Sequence, residues 1–318
     1  IDSAYNSIKN IIKYKINPIK YEKLFLDIKF IDFQNLFIDR AASMDKKYLF
    51  NPKFVKVKIK NNNKNFDARI RIKGGLSHIQ SSHRMSLRIH LKNDKTILGF
   101  NKFSIHKPTE RQHPYDYAFH SLVRENGNLS AMHNFAQIFV NGTDWGIMNV
   151  EEHMSKEFLE KQKRKESIIL RLSDDQLSKY RVDTFPDSYD LYRLSDPSLY
   201  IHLYDDNNYI NKSKYREMYT YASNKILERN TSMFDIDSFI KAFILTTAWG
   251  SLHPLLNINS RYYFNPYTLK LEIITTDQNE FRKIRKLEDI HFYTDVLPEL
   301  RNMIFYNLNR NELLYTSF

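Results

Sequence analysis

The chain has 318 residues, 42% hydrophobic and 14% aromatic, enough apolar material for a sizeable core in one large domain or two lobes. Lys and Arg outnumber Asp and Glu by 48 to 37, a formal charge of +11, which favours an anionic partner: a phosphate-bearing cofactor, an acidic polymer, a membrane face or nucleic acid. There is no cysteine, which excludes disulfides, thiolate catalysis and Cys-ligated zinc, and no run of about 18 apolar residues that would make a transmembrane segment.

The lysines are dispersed, with no basic block and no nucleic-acid motif, so nucleic acid is not an expected partner. A chain rich in Lys and Asn and poor in Gly also follows from A/T-biased coding. The sequence begins at Ile1 and stops at Phe318 without a clear terminal signal, and is read as part of a longer chain.

In chain order, residues 1–49 read as an N-terminal helical arm: "AYNSIKNIIKYKI" spaces its apolar residues at three and four, and "YEKLFLDIKFIDFQNLFIDRAAS" resumes the pattern after Pro18. From residue 54 the period switches to two. "FVKVKIK", the turn "NNNKN" and "FDARIRIKGG" predict a β-hairpin, and "MSLRIHLK" and "FNKFSIHK" continue the strands. "DYAFHSLVREN" predicts a helix, "AQIFVNGTDWGIMNV" a hairpin turning at Asn141-Gly142, "SKEFLEKQKRK" a charged helix after a serine cap, and "SIILRL" a short strand. Residues 50–172 therefore read as a β-rich lobe. Residues 173–318 read as a mainly helical lobe, with polar loops and helices up to "DIDSFIKAFILTTAWG" and then the hairpin "NINSRYYFNPYTLKLEIITTDQN".

That last hairpin is bracketed by Asn259 and Asp277. Mg²⁺ takes hard oxygen ligands, usually one or two from protein with phosphates and water supplying the rest. In kinases an Asn of the catalytic loop and an Asp beyond the next strands do this work. Ordinary turn residues produce the same pair. His253, between the strong helix and Asn259, is the titratable group placed where a general base would stand, or a helix-end histidine that packs. Lys73 precedes paired glycines at a strand end, where backbone N–H groups can approach a phosphate or simply turn. Arg84, Ser86 and Arg88 share one strand face. "VEEH" offers Glu151 and Glu152 as carboxylates able to orient a phosphate-binding cation, and "ILRL" offers Arg171; ordinary salt bridges use the same residue types.

Taken together, "RIRIKGGLSHI", "MSLRIHLK", "GFNKFSIHKP", "YAFHSLVRENG", "FVNGTDWGIMNVEEHMSKEFLE" and "NSRYYFNPYTLKLEIITTD" resemble, in their order and spacing over residues 20 to 280, the bacterial spore-coat-protein-H (CotH) kinase family, most closely its Gram-negative-type members. The resemblance implies an α+β, atypical protein-kinase-like two-lobed fold, with a β-rich N-lobe and a mainly helical C-lobe. It implies ATP and Mg²⁺ as cofactors and phosphoryl transfer to Ser/Thr hydroxyls of a protein substrate at the cell surface or envelope. Such a substrate argues for an extracytoplasmic or envelope-associated location, with a cytoplasmic one as the alternative. Carried over by position, Asp277 matches the family's metal-binding aspartate, Asn259 the asparagine before it, and Glu152 the acidic position of the "EEH" segment. Lys73 falls in a "KGG" that replaces Lys-Gly-Asp. Arg84 and Arg171 stand where the family commonly has lysines; a guanidinium keeps the charge but is a broader group. The family's Trp-Asp, source of its proposed catalytic Asp, reads Trp249-Gly250 here. Three readings follow: a kinase using ATP-Mg²⁺, a nucleotide-binding pseudokinase scaffold, and a non-catalytic basic surface-binding module that keeps the fold.

Overall fold

In the computed structural model, the described residues are 20–74, 84–172, 201–204, 209, 211–228, 230–255, 259, 261–278 and 281–283. The helix read from "AYNSIKNIIKYKI", Gly75 of the paired glycines, and all of 173–200 and 284–318 lie outside them.

The first half is built on strands β1 (Glu22–Asp27), β2 (Val55–Asn61), β3 (Lys64–Ile72), β4 (Leu87–Leu91), β5 (Lys102–His106), β6 (His133–Val140) and β7 (Thr143–Glu152). They close into a barrel in the order β1-β2-β3-β4-β5-β7-β6. This corrects the expected two-lobed kinase architecture: the β-rich part has no open edge. Closure comes from β1, which pairs antiparallel with β2 and parallel with β6, Glu22 opposite Ala136 through Leu26 opposite Val140. An edge strand presents unpaired N–H and C=O groups, and closing the sheet satisfies them. The helical reading of residues 20–29 fails for the same reason. Leu24 and Leu26 point into the barrel while Phe25 points out, a period of two that the adjoining helix α1 (Phe30–Lys46) masks in sequence.

Inside the barrel, β2 alternates buried and exposed along its whole length, and Ile59, Ile70, Leu87, Ile89, Phe103, Ile105, Ile138 and Val150 form one apolar cluster. The α1 helix adds Leu36 to that cluster, with Phe33 and Phe37 partly buried beside it. The predicted Asn141-Gly142 turn is present, with both residues at positive φ, the geometry a two-residue hairpin loop needs.

In the second half, the described residues of 173–318 include two helices of 15 and 13 residues, and the strands among them belong to one sheet. That sheet is four-stranded and antiparallel, ordered β11-β10-β8-β9, of β8 (Ile169–Leu172), β9 (Ile201–Leu203), β10 (Arg261–Asn265) and β11 (Lys270–Ile274). In sequence α2 (Tyr115–Glu125) lies between β5 and β6 of the barrel, α3 (Lys156–Lys161) links barrel to sheet, and α4 (Ser213–Leu227) and α5 (Ile236–Ala248) accompany the sheet. The α5 helix starts where Asp235 accepts from the Ser238 N–H at 2.9 Å, a side-chain N-cap. It buries Phe239, Ala242 and Phe243 with Tyr262, Phe264, Leu271 and Ile273 of the hairpin in a second core.

The outward face of β5–β7–β6 is not solvated: Ser104, His106, His133, Asn149 and Glu151 are all buried. The segment 108–125 and the end of β11 cover it. Thr275 N–H donates to Leu129 C=O at 2.9 Å and Ser130 Oγ donates to Thr275 C=O at 2.8 Å, so the chain beyond β11 is fixed against the barrel.

Because Leu24 lies on the closing strand and is fully buried, Leu24→Ala should cost about 2–5 kcal/mol. A chemical-denaturation midpoint measures it; a near-neutral change would mean that β1 is not integral to the barrel.

Candidate nucleotide site

Lys73 follows β3 directly, and its Nζ meets Glu151 Oε2 at 2.6 Å. Glu151 lies on β7, where the pleat sends Met148 and Val150 into the barrel and Asn149 and Glu151 out. Its other oxygen accepts from Arg111 Nη1 at 2.9 Å, and His106 Nε2 stands 3.5 Å away. Arg111 ends a short 3₁₀ turn, Pro108–Arg111. Its Nε lies 3.1 Å from Asp277 Oδ1, and His253 Nε2 is 3.8 Å from Asp277 Oδ2. Asn259 Nδ2 donates to His253 Nε2 at 2.9 Å and to His253 C=O at 3.1 Å. One continuous chain of charged and polar contacts therefore runs from Lys73 to Asn259.

The electrostatics follow from burial and pairing. Burial alone would raise the Glu151 pKa, but Arg111, Lys73 and His106 outweigh it and hold the carboxyl well below its usual range. Burial pushes the Lys73 ammonium down, partly opposed by Glu151, to about 8. Burial opposes the Arg111 charge too, but Asp277 and Glu151 hold the guanidinium firmly protonated. Asp277, whose side chain keeps 30% exposure, is pushed up by desolvation and pulled down further by Arg111. It is thus an ionised carboxylate at the rim of the site, backed by one cation. Behind this chain, burial drives His106 well below its normal pKa and His133 down to about 3.

The structure brings Lys73, His253, Asn259 and Asp277 together. It sends Glu152 elsewhere: on the opposite side of β7, it accepts from Lys161 Nζ at 2.8 Å and from the Met132 N–H at 3.3 Å, and burial raises its pKa. Glu151, the other carboxylate of "VEEH", is the one on Lys73. Arg84 donates to Trp145 C=O at 2.9 Å, in the β6–β7 hairpin. Arg171, on β8, sits opposite Arg261 and His202 across the ladder. Neither belongs to the chain of contacts described above. Instead Arg88 of β4 reaches Tyr204 Oη at 3.4 Å, and Tyr204 Oη is 3.0 Å from His153 Nδ1, tying barrel to sheet. The sequence reading missed Arg111 altogether.

Gly250 has φ +82°, and a Cβ there would lie 2.3 Å from the Arg282 carbonyl oxygen. Arg282 N–H in turn donates to Trp249 C=O at 3.2 Å. The absence of a side chain at 250 is thus built into the packing of the strand-exit segment. Phe281 reinforces it by stacking on Tyr115 at 4.7 Å and edge-on to Trp249 at 5.2 Å.

A family model described as CotH kinase protein matches residues 70–303, more than half of the chain. No curated protein gives a significant match.

Two outcomes follow. The Glu151 pKa is lower folded than the ordinary 4.5, so its stabilisation is complete above about pH 4.5 and is lost as pH falls through the depressed folded value. Glu151→Gln should cost about 3–5 kcal/mol at neutral pH, because it leaves buried cations uncompensated, and should flatten the acid limb of a stability–pH curve. An unchanged acid limb in the variant would show that Glu151 does not dominate it. Gly250→Asp should destabilise, by about 1–3 kcal/mol of overpacking plus strain at positive φ, rather than create activity. A variant as stable as wild type by thermal melting would show that the Arg282 approach is not a constraint.

Proposed function

Since the chain belongs to the CotH kinase family, we propose that it uses the site between barrel and sheet to bind ATP with Mg²⁺ and to transfer the terminal phosphoryl group to Ser/Thr hydroxyls of a protein at the cell surface or envelope. The observation that carries this reading is the joining of Lys73, Glu151, Arg111 and Asp277 by contacts of 2.6, 2.9 and 3.1 Å. A lysine held by a carboxylate, and an aspartate beside an asparagine on the far wall, are the parts that kinase catalysis requires. The likeness to Gram-negative-type members rests on the run from Asn259 to Pro266 leading to Asp277.

The residues fit the cofactors. Asp277 offers an ionised, part-exposed carboxylate and Asn259 an amide oxygen, hard donors of the kind Mg²⁺ selects; Mg²⁺ held there supplies charge neutralisation for the phosphates. Lys73 supplies a point charge for phosphate oxygens. Glu151 orients it and Arg111 holds Glu151 and Asp277 at fixed separation, so the groups need little reorganisation on binding. His253 accepts a hydrogen bond from Asn259 at Nε2, so that nitrogen bears the lone pair able to take the proton of the acceptor hydroxyl. As the hydroxyl oxygen bonds to the γ-phosphorus, the bond to the β-phosphate oxygen breaks and ADP leaves.

A second reading, a nucleotide-binding pseudokinase, is favoured by one observation: Gly250 occupies the position of the family's Asp and has no room for a side chain. Phosphate labelling of envelope-protein acceptors by radiolabelled ATP separates the two. Mg²⁺-dependent labelling that is lost in Asp277→Asn supports the kinase; stoichiometric ATP binding without transfer over a broad acceptor panel supports the pseudokinase. Failure of ATP-Mg²⁺ to raise the melting temperature at saturating concentration would overturn both.

Lys73 also makes binding pH-dependent. Its ammonium deprotonates around pH 8 instead of the ordinary 10.5, so ATP affinity should fall as pH rises through about 8. In Lys73→Arg, whose guanidinium stays charged, affinity should hold over the same range. Calorimetric titrations at neutral and alkaline pH measure this, and an equal alkaline loss in the Arg variant would exclude Lys73 as its source.

A further inference from the structure

Behind Arg111, three buried side chains aim ligand atoms at a common point. His113 follows the 3₁₀ turn, Asp116 lies in the first turn of α2, and His133 opens β6. Their side chains are 2%, 0% and 0% exposed. Asp116 Oδ2 is 3.7 Å from His113 Nε2 and 3.9 Å from His133 Nε2. One ligand atom from each residue lies within 4.8 Å of the other two. Most telling, His113 Nε2, Asp116 Oδ2 and His133 Nε2 are all buried without a hydrogen-bond partner. Leaving one buried polar atom unsatisfied costs about 1–3 kcal/mol, and three that converge call for a shared partner.

The geometry points to a buried transition-metal site, selective for Zn²⁺ or an ion of similar preference, ligated by His113, Asp116 and His133 with water at the fourth position. Two imidazoles and one carboxylate suit zinc and its neighbours rather than Mg²⁺ or Ca²⁺. Tetrahedral zinc, with bonds of about 2.0–2.2 Å, sets ligand atoms about 3.3–3.5 Å apart, so the two separations from Asp116 need to contract by only a few tenths of an ångström, and the two imidazole nitrogens start within 4.8 Å of each other. For two of the three, the surroundings are those of metal ligands, whose remaining polar atoms are held by neighbours; His113 Nδ1 has no such partner. His133 Nδ1 stands 3.2 Å from Asn149 Oδ1, and His106 Nε2 lies 2.8 Å from the same oxygen. His120 Nε2 meets Asp116 Oδ1 at 3.0 Å while its Nδ1 lies 2.7 Å from Ser130 Oγ. The site joins α2 to β6, and so pins Arg111, two residues before His113, against Glu151. It is distinct from the Asp277 site and does not depend on the kinase reading.

The test is metal content by mass spectrometry, on protein purified without a metal-affinity column, supplied with Zn²⁺ and dialysed. About one equivalent of zinc is expected, with a melting temperature that falls on chelation and recovers on Zn²⁺ addition, and with Co²⁺ substitution giving the visible bands of a tetrahedral ion. His113→Asn and His133→Asn should weaken zinc by more than the roughly 10–100-fold that outer-shell changes cause, while Asp277→Asn keeps full zinc occupancy. Absence of both zinc and a cobalt spectrum in wild type overturns the proposal, as does undiminished zinc in folded His variants. If those variants do not fold, the wild-type cobalt spectrum decides alone.

Discussion

A carboxylate buried at the end of a barrel strand has to be neutralised, and Glu151 is paired with two cations, Lys73 and Arg111, with the uncharged ring of His106 3.5 Å away. Much else about this molecule follows from that demand. Lys73 is drawn off the end of β3 instead of reaching solvent. Arg111 must bring its short turn down onto the outside of the barrel. Once there, its Nε stands 3.1 Å from Asp277 Oδ1 at the exit of β11, a second ion pair on the same guanidinium. Removing any one member strands a charge in a low-dielectric environment, so the arrangement is maintained as a unit.

The barrel makes this demand possible. Because the sheet closes, its outward face can be polar where the second half covers it and polar where water does, and the pleat alone decides which residues meet which environment. Met148 and Val150 enter the apolar core; Asn149 and Glu151 meet histidines and Arg111. The second half is held to this face by parts that are themselves polar: the Thr275–Leu129 and Ser130–Thr275 hydrogen bonds and the Arg88–Tyr204–His153 contacts. A polar seam of this kind costs stability relative to an apolar one, but it sets Asp277 and Lys73 at a definite separation, as the proposed phosphate site would require.

What could be read in advance was local. The alternation of "FVKVKIK" and "FDARIRIKGG", the capped α5 helix and the hairpin from Arg261 to Ile274 each carry their own period, and each is observed. Lys73, His253, Asn259 and Asp277 were legible because they punctuate such elements. The rest depended on pairing across long stretches of chain. The partner of β1 is β6, more than a hundred residues away, and no window of sequence contains that information. Arg111 sits in a turn with no period at all. The choice between Glu151 and Glu152 was available, however: extending the alternation of Met148 and Val150 assigns Glu152 to the core side and Glu151 to the outside.

The two walls of the site are constrained unequally, and the difference bears on what it can do. On the barrel side, Lys73, Glu151 and Arg111 are locked by short charged contacts. Across from them, Asp277 and His253 keep 30% and 26% of their side-chain surface exposed at a separation of 3.8 Å, and Gly250 has been committed to packing against Arg282. In the proposed reaction, phosphate recognition would draw on the rigid wall, and proton removal from an acceptor on the looser one. With backbone in place of a side chain at 250, the proposed site is better equipped to hold a nucleotide than to position an acceptor. In the proposed kinase, turnover would then depend on His253, whose Nε2 lone pair is engaged by Asn259 and would have to be released before it could serve as a base.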